Sequence, residues 1–208
     1  MTSKYKYENM TSCDFKTCKE RKRKESAYTR SHVICTPEAY YDPEFQRSLT
    51  DNRRQNQWIF NLMSSGSCPG ETVYHNASEW LLARDLHRGT DSRYLVIFKD
   101  QDLHSIRDLR AEHIELLRDI AAFLKKWLPA QEPLLYKKYL MYFHYMPSVF
   151  QLHMHVSMRK APESLRVHQI HNVLYNLGQR DTWYKDALIL CPSTNPVKSR
   201  SLDPNKIP

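Results

Sequence analysis

No apolar run in this 208-residue chain approaches the roughly 18 residues that a membrane-spanning helix needs. Residues Met1–Asn9 also lack the apolar core of a secretory leader. The five cysteines, Cys13, Cys18, Cys35, Cys68 and Cys191, contain no CxxC pair, so neither a disulfide framework nor a zinc knuckle is indicated. Reduced thiols in the cytoplasm or nucleus, with no membrane partner, are the expectation. Internal repeats and low-complexity tracts are absent too. The composition is 41% hydrophobic, ordinary for a folded domain, with a net charge of +8 and a pI near 9.2. That balance favours polyanionic partners, although a solvated basic surface accounts for it equally well.

Along the chain, residues 1–32 are basic and poor in aliphatic side chains and read as an extension that does not pack. Lys19–Lys24, KERKRK, is of a type read by nuclear import. Residues 33–191 carry the ordered pattern, and the proline-bearing residues 192–208 read as a tail. Thr36–Tyr41 reads as a turn into an ordered aromatic segment. Asp51–Met63 reads as one helix running into the Ser64–Gly70 loop. Glu79–Leu86 and Arg93–Lys99 are strand candidates separated by a turn that holds Gly89. Ile114, Leu117, Ile120, Ala121, Leu124 and Leu128 recur at helical spacing in Ala111–Leu128, which Pro129 is expected to close. Residues 138–146 and 150–158 read as two strands joined by a short connection. Glu163–Leu177 reads as a helix with Gly178 as its cap, and Ala187–Cys191 as a last strand. Strands with helices inserted between them imply an α+β fold, an antiparallel sheet with packed helices.

The chemistry concentrates in Phe150–Met158, FQLHMHVSM, where apolar residues alternate with Gln151, His153, His155 and Ser157. A strand sends successive side chains to opposite faces, so one face can join a core while the other carries two imidazoles. Three readings of the residues stand side by side. The histidines are polar residues on a wet strand face. They are metal ligands, with His144 or a carboxylate as a further donor, although no second cluster with ligand spacing is visible and no metal or cofactor is expected. Or His153 is a nucleophile toward phosphorus, with the Pro147-Ser148 turn offering a hydroxyl and backbone N–H groups to phosphate.

The longer segment Tyr142–Val156, YFHYMPSVFQLHMHV, resembles the histidine-triad (HIT) segment of the scavenger mRNA decapping enzymes, the m7GpppX diphosphatases. The resemblance extends to Tyr94–Leu117 and to Gln57-Trp58-Ile59-Phe60-Asn61 and covers roughly residues 33–190. It implies a HIT-like fold and hydrolysis of the triphosphate bridge of residual mRNA cap, on cap dinucleotide or short capped RNA. The reaction would pass through a nucleotidyl-His153 intermediate and release 7-methylguanosine monophosphate. By the same resemblance His155 assists the leaving group, while His144 and Ser148 line the phosphates. Trp58 stacks on the methylated base, Asp85 accepts from the guanine edge, and the positions of a cap-site lysine and glutamate fall at His87 and near Glu71. The resemblance also implies a homodimer, and the apolar surface of residues 52–63 and 93–99 is expected to need a second copy to cover it.

Departures are as informative. The first triad position is Gln151, which can still donate to phosphate, and Val149 replaces a tyrosine. Ungapped counting puts Cys68 at the glutamate's place. The family's N-terminal swapped domain has no expected counterpart in the first 32 residues. A cap-binding pseudoenzyme and a HIT nucleotide hydrolase of altered base specificity are therefore the alternatives.

Overall fold

Capping residues written into the sequence start the first helices. In the computed structural model, which describes residues 32–67, 72–85, 93–157 and 166–192, strand β1 (His32–Cys35) leads into a one-turn helix, α1 (Pro37–Tyr40). The Thr36 side chain caps α1 by accepting from the Ala39 N–H. Asp42 repeats the device on α2 (Pro43–Gln55), accepting from the Glu44 and Phe45 N–H groups, with proline at the first helical position in both helices. The single helix expected over 51–63 is two: α2 ends at Asn56, and α3 (Gln57–Ser65) begins there. The Asn56 carboxamide donates to the Asn52 carbonyl at 2.7 Å, so a side chain satisfies a helix end where the backbone turns. Gly66, at φ 67°, closes α3 in the left-handed conformation that only glycine adopts without cost.

A six-stranded sheet follows: β2 (Val73–Asn76), β3 (Trp80–Arg84), β4 (Arg93–Phe98), β5 (Leu140–His144), β6 (His153–Ser157) and β7 (Val167–Gln169). Its spatial order is β2-β3-β4-β6-β5-β7, and every pairing is antiparallel. The α+β architecture expected from the sequence is the architecture found. One face carries Leu82, Val96, Phe98, Phe143, Met154 and Val156 into the main core. Against it lie α4 (Ile114–Gln131), through Leu117, Ile120, Leu124 and Leu128, and α5 (Ile170–Gln179), through Ile170, Val173 and Leu177. The opposite face carries Leu81, Ala83, Leu95 and Ile97 against Ile59, Leu62 and Met63 of α3. A short helix α6 (Trp183–Asp186) and β8 (Ile189–Pro192), which pairs with β1, complete the chain.

Several expectations are corrected. Pro129 lies inside the last turn of α4 rather than closing it, because its fixed φ is helical and the Glu132 N–H still reaches the Leu128 carbonyl at 2.7 Å. Within the segment expected as helix 163–177, of which residues 163–165 lie outside the described residues, 167–169 form a strand and α5 begins at Ile170, and Gly178 sits within the helix instead of capping it. The strand forms because Val167, His168 and Gln169 complete the sheet edge against β5, a pairing no local periodicity reveals. Strand β6 starts at His153, not at residue 150, because residues 145–152 form a loop. Strand β2 lay outside the sequence reading altogether. Cys35 and Cys191 form a disulfide, with Cα atoms 6.2 Å apart, so the expectation of five reduced thiols does not hold. Their separation of 156 residues hides the pair, but the β1–β8 register sets Val33 opposite Cys191 and Cys35 opposite Ile189, which places the cysteines diagonally. Cys13, Cys18, Cys68 and Lys19–Lys24 lie outside the described residues. Among the described residues, no helix is long and apolar enough to cross a membrane.

One buried cation braces the fold beneath these elements. Arg107 is fully buried in the 3-10 turn Ile106–Asp108. Its Nε donates to the Tyr145 hydroxyl at 2.6 Å, one terminal nitrogen donates to the Tyr184 and Ala187 carbonyls, and the other donates to the Cys35 carbonyl at 2.6 Å. It ties the β1 end, the loop after β5 and the segment around α6 to a single planar group.

Candidate active site

Alternation puts His153 and His155 on one face of β6, and the sheet register decides what surrounds them. His153 lies opposite Ile97 and His155 opposite Leu95, so both imidazoles stand on the face that α3 covers. That face is not wet: His153 is buried and His155 half-buried. The reading of two solvated polar side chains fails here, because α3 lays its apolar stripe along the same face.

His153 is held by its own strand. Its Nδ1 lies 2.7 Å from the Gln151 carbonyl, which can only accept, so Nδ1 carries the proton and Nε2 keeps its lone pair. Burial, seconded by the neighbouring His155, lowers its pKa from 6.5 to about 4, so the ring stays neutral across the physiological range. His155 stands edge-on to His153 with centroids 5.2 Å apart, stacks on Tyr142 at 5.4 Å and approaches His144 at 4.5 Å. The Asp85 carboxylate, at the end of β3, faces His155 Nδ1 across 3.7 Å. Three histidines and one aspartate thus converge, yet no group of described residues has the arrangement to hold a metal ion. An oriented neutral imidazole beside a second one suits proton handling and attack on phosphorus.

The loop before β6 is fixed from α2. Asn52 donates through Nδ2 to the Ser148 carbonyl at 3.1 Å and accepts the Phe150 N–H through Oδ1 at 2.9 Å. The sequence reading missed Asn52, which carries no local signal 98 residues before its partner. Ser148 itself is exposed at this loop.

Gln151 has a different task from the one expected. It is fully buried, and its Nε2 donates to the Phe98 and Asp100 carbonyls, each at 2.7 Å. Both amide protons are spent on the backbone beyond β4, so none remains for a phosphate. The side chain braces the strand start whose carbonyl orients His153. Trp58 is half-buried at the edge of α3 and packs against the second core cluster. Asp85, expected at the base, stands beside His155. Glu71 and His87 lie outside the described residues. The surface argument for a dimer also changes, since α3 and β4 cover each other's apolar side chains within one chain.

Residues 57–171 match the family model described as scavenger mRNA decapping enzyme C-term binding, more than half of the chain. The chain belongs to this family. It is 30% identical to the m7GpppX diphosphatase of Bos taurus over 145 residues, covering 62% of this chain and 42% of that protein. It is 29% identical to the Schizosaccharomyces pombe m7GpppX diphosphatase over 141 residues, 64% of this chain and 46% of that one. The chain therefore spans less than half the length of these curated relatives. Among solved structures it is similar to Hnt3 in complex with DNA and guanosine, at 16% identity and a TM-score of 0.44, covering 61% of this chain and 79% of that one. It is also similar to a HIT family hydrolase from Clostridium thermocellum, at 16% identity and a TM-score of 0.42, covering 52% and 96%.

The buried histidines set an acid limit. His168 on β7 is also lowered by burial to about 4, and in both rings the folded pKa lies below the unfolded value. The unfolded chain then binds more protons between pH 6.5 and 4, so stability is full above that window and is lost as pH falls through it. Thermal melts at stepped pH should show Tm falling steadily across it. A Tm that stays level between pH 7 and 5 would contradict the burial of both rings.

Proposed function

We propose that this chain hydrolyses the triphosphate bridge of residual mRNA cap. The observation that supports this most is the His153 ring, neutral, with Nδ1 bound to the Gln151 carbonyl and Nε2 left as the nucleophile. In the proposed reaction, Nε2 attacks the phosphorus next to 7-methylguanosine and forms a P–N bond as the P–O bond to the leaving nucleoside diphosphate end breaks. His155, whose Nδ1 faces the Asp85 carboxylate across 3.7 Å, donates a proton to that oxygen. Water then attacks the nucleotidyl-His153 intermediate, giving its proton to His155 as the P–N bond breaks. The ring departs readily because, protonated on Nδ1 and phosphorylated on Nε2, it is cationic and leaves as neutral imidazole. The products are 7-methylguanosine monophosphate and a diphosphate-ended nucleotide. His144, which packs against His155, and the Ser148 loop hold the phosphates in this scheme, and Trp58 takes the base.

A second reading rests on Gln151, whose amide N–H groups are both spent on backbone carbonyls: a cap-binding module without turnover. Incubation with methylated and unmethylated cap dinucleotide, with chromatography of the products, separates the readings. Methyl-dependent release of 7-methylguanosine monophosphate is expected. Equal cleavage of both would indicate a HIT hydrolase of other base preference, and binding without cleavage a pseudoenzyme. Indole fluorescence tests the base site. A cation over an indole is worth about 0.5–2 kcal/mol, so the methylated analogue should bind several-fold tighter and Trp58→Ala should erase the difference. A wild-type preference that survives Trp58→Ala would return Trp58 to a packing role alone.

A further inference from the structure

A cleft of about 390 Å³ opens between α2, α3 and the segment that follows β4, and none of its walls belongs to the histidine cluster. It is lined by Arg53, Arg54, Gln57, Phe60, Asn61 and Gln101, and no described lining side chain is a carboxylate. The helix phase explains part of the lining: Ile59, Leu62 and Met63 face the sheet, Gln57 and Asn61 turn outward, and the half-buried Phe60 lies at the margin, packed against the same cluster while lining the cleft.

The two arginines differ. Arg53 is fixed: it donates to the Gln101 carbonyl, meets His104 Nε2 at 3.1 Å and lies 5.4 Å over the Phe60 ring. Its Nε is buried with no protein partner, a donor still to be satisfied. Arg54 is exposed, and its only close carboxylate among the described residues is Asp51 at 3.7 Å. The Gln57 carboxamide donates to that of Asn61 at 3.3 Å, and both residues line the cleft. Guanidinium groups suit a phosphate, a flat ring suits a base, and carboxamides suit base edges.

The cleft is joined to the candidate site at two points. Asn52, next to Arg53, grips the loop that carries Ser148. Gln101 follows Asp100, whose carbonyl accepts from Gln151. We infer that this cleft binds single-stranded RNA, holding a phosphodiester between Arg53 and Arg54 and a neighbouring base against Phe60, Gln57 and Asn61. The inference deepens the proposed function and rests on it for the direction of the strand, which runs from the Ser148 loop into the cleft.

Fluorescence anisotropy of the full chain with a labelled, uncapped RNA hexamer tests it. The variant is Arg54→Glu, at a side chain 78% exposed, so the fold is not at risk. The matched control is Arg118→Glu, also exposed and also paired three residues away with a carboxylate, but on α4, which packs on the opposite sheet face. Arg54→Glu should weaken binding by about fivefold or more, with a shallower salt dependence, and Phe60→Leu should weaken it by about threefold. Arg118→Glu should stay within about twofold of wild type. Equal losses in Arg54→Glu and Arg118→Glu would overturn the site, as would competition by an oligoglutamate peptide as strong as that by RNA. No hexamer binding to wild type would overturn it as well. Because the probe has no cap, hexamer binding by a chain that fails to cleave cap dinucleotide would uphold the cleft while removing the proposed reaction.

Discussion

Replacing His153 with alanine is expected to abolish turnover of cap dinucleotide, lowering kcat by at least about a thousandfold, since in the proposed reaction His153 is the group that forms the covalent intermediate. His153 is buried and its Nδ1 meets the Gln151 carbonyl at 2.7 Å. The variant therefore strands a buried acceptor and should lose about 1–3 kcal/mol of stability. His153→Asn retains a donor near that carbonyl and should recover part of the stability but none of the activity. That split is the diagnostic result, because a purely structural histidine would regain both together. Brief incubation of wild type with substrate labelled on the phosphate nearest 7-methylguanosine should leave acid-labile, base-stable label on the chain. Wild-type turnover in His153→Ala would transfer the chemistry to another residue.

The largest stability effect should come from Arg107, far from the chemistry. Its guanidinium serves the Tyr145 hydroxyl and the carbonyls of Cys35, Tyr184 and Ala187 without exposure to solvent. Arg107→Ala would leave those acceptors buried and open a cavity, costing about 4 kcal/mol or more. That is a large share of a domain's total stability. Arg107→Lys should recover little, because one ammonium cannot reach carbonyls spread around a planar fork. Chemical denaturation monitored by circular dichroism measures both. A midpoint close to wild type in Arg107→Ala would mean that the network is not what joins β1 to the α6 segment.

Much of this molecule was legible locally. The apolar stripe of α4 and the alternation through residues 150–158 follow from the helical and strand periods, which act over a few residues. The resemblance around Tyr142–Val156 directed attention to His144, His153 and His155, and the fold gathers all three. Asn56 was harder to read, because a helix break made by one side chain leaves the apolar pattern on either side intact. Gln151 misled for a related reason: its place in the alternation is right, but the strand starts two residues later and its amide turns inward to the β4 end.

The chain's own pattern determined that two imidazoles share one strand face and that an antiparallel α+β sheet carries them, since side-chain direction and amphipathic phase are properties of the local backbone. Only the tertiary structure decided that this face is covered, that His153 is neutral and oriented, that Asp85 stands beside His155, and that Cys35 meets Cys191. Each of these depends on which distant segment lands on a given face. Burial, proton affinity and disulfide pairing are set by that neighbour rather than by the residue's own position in the sequence.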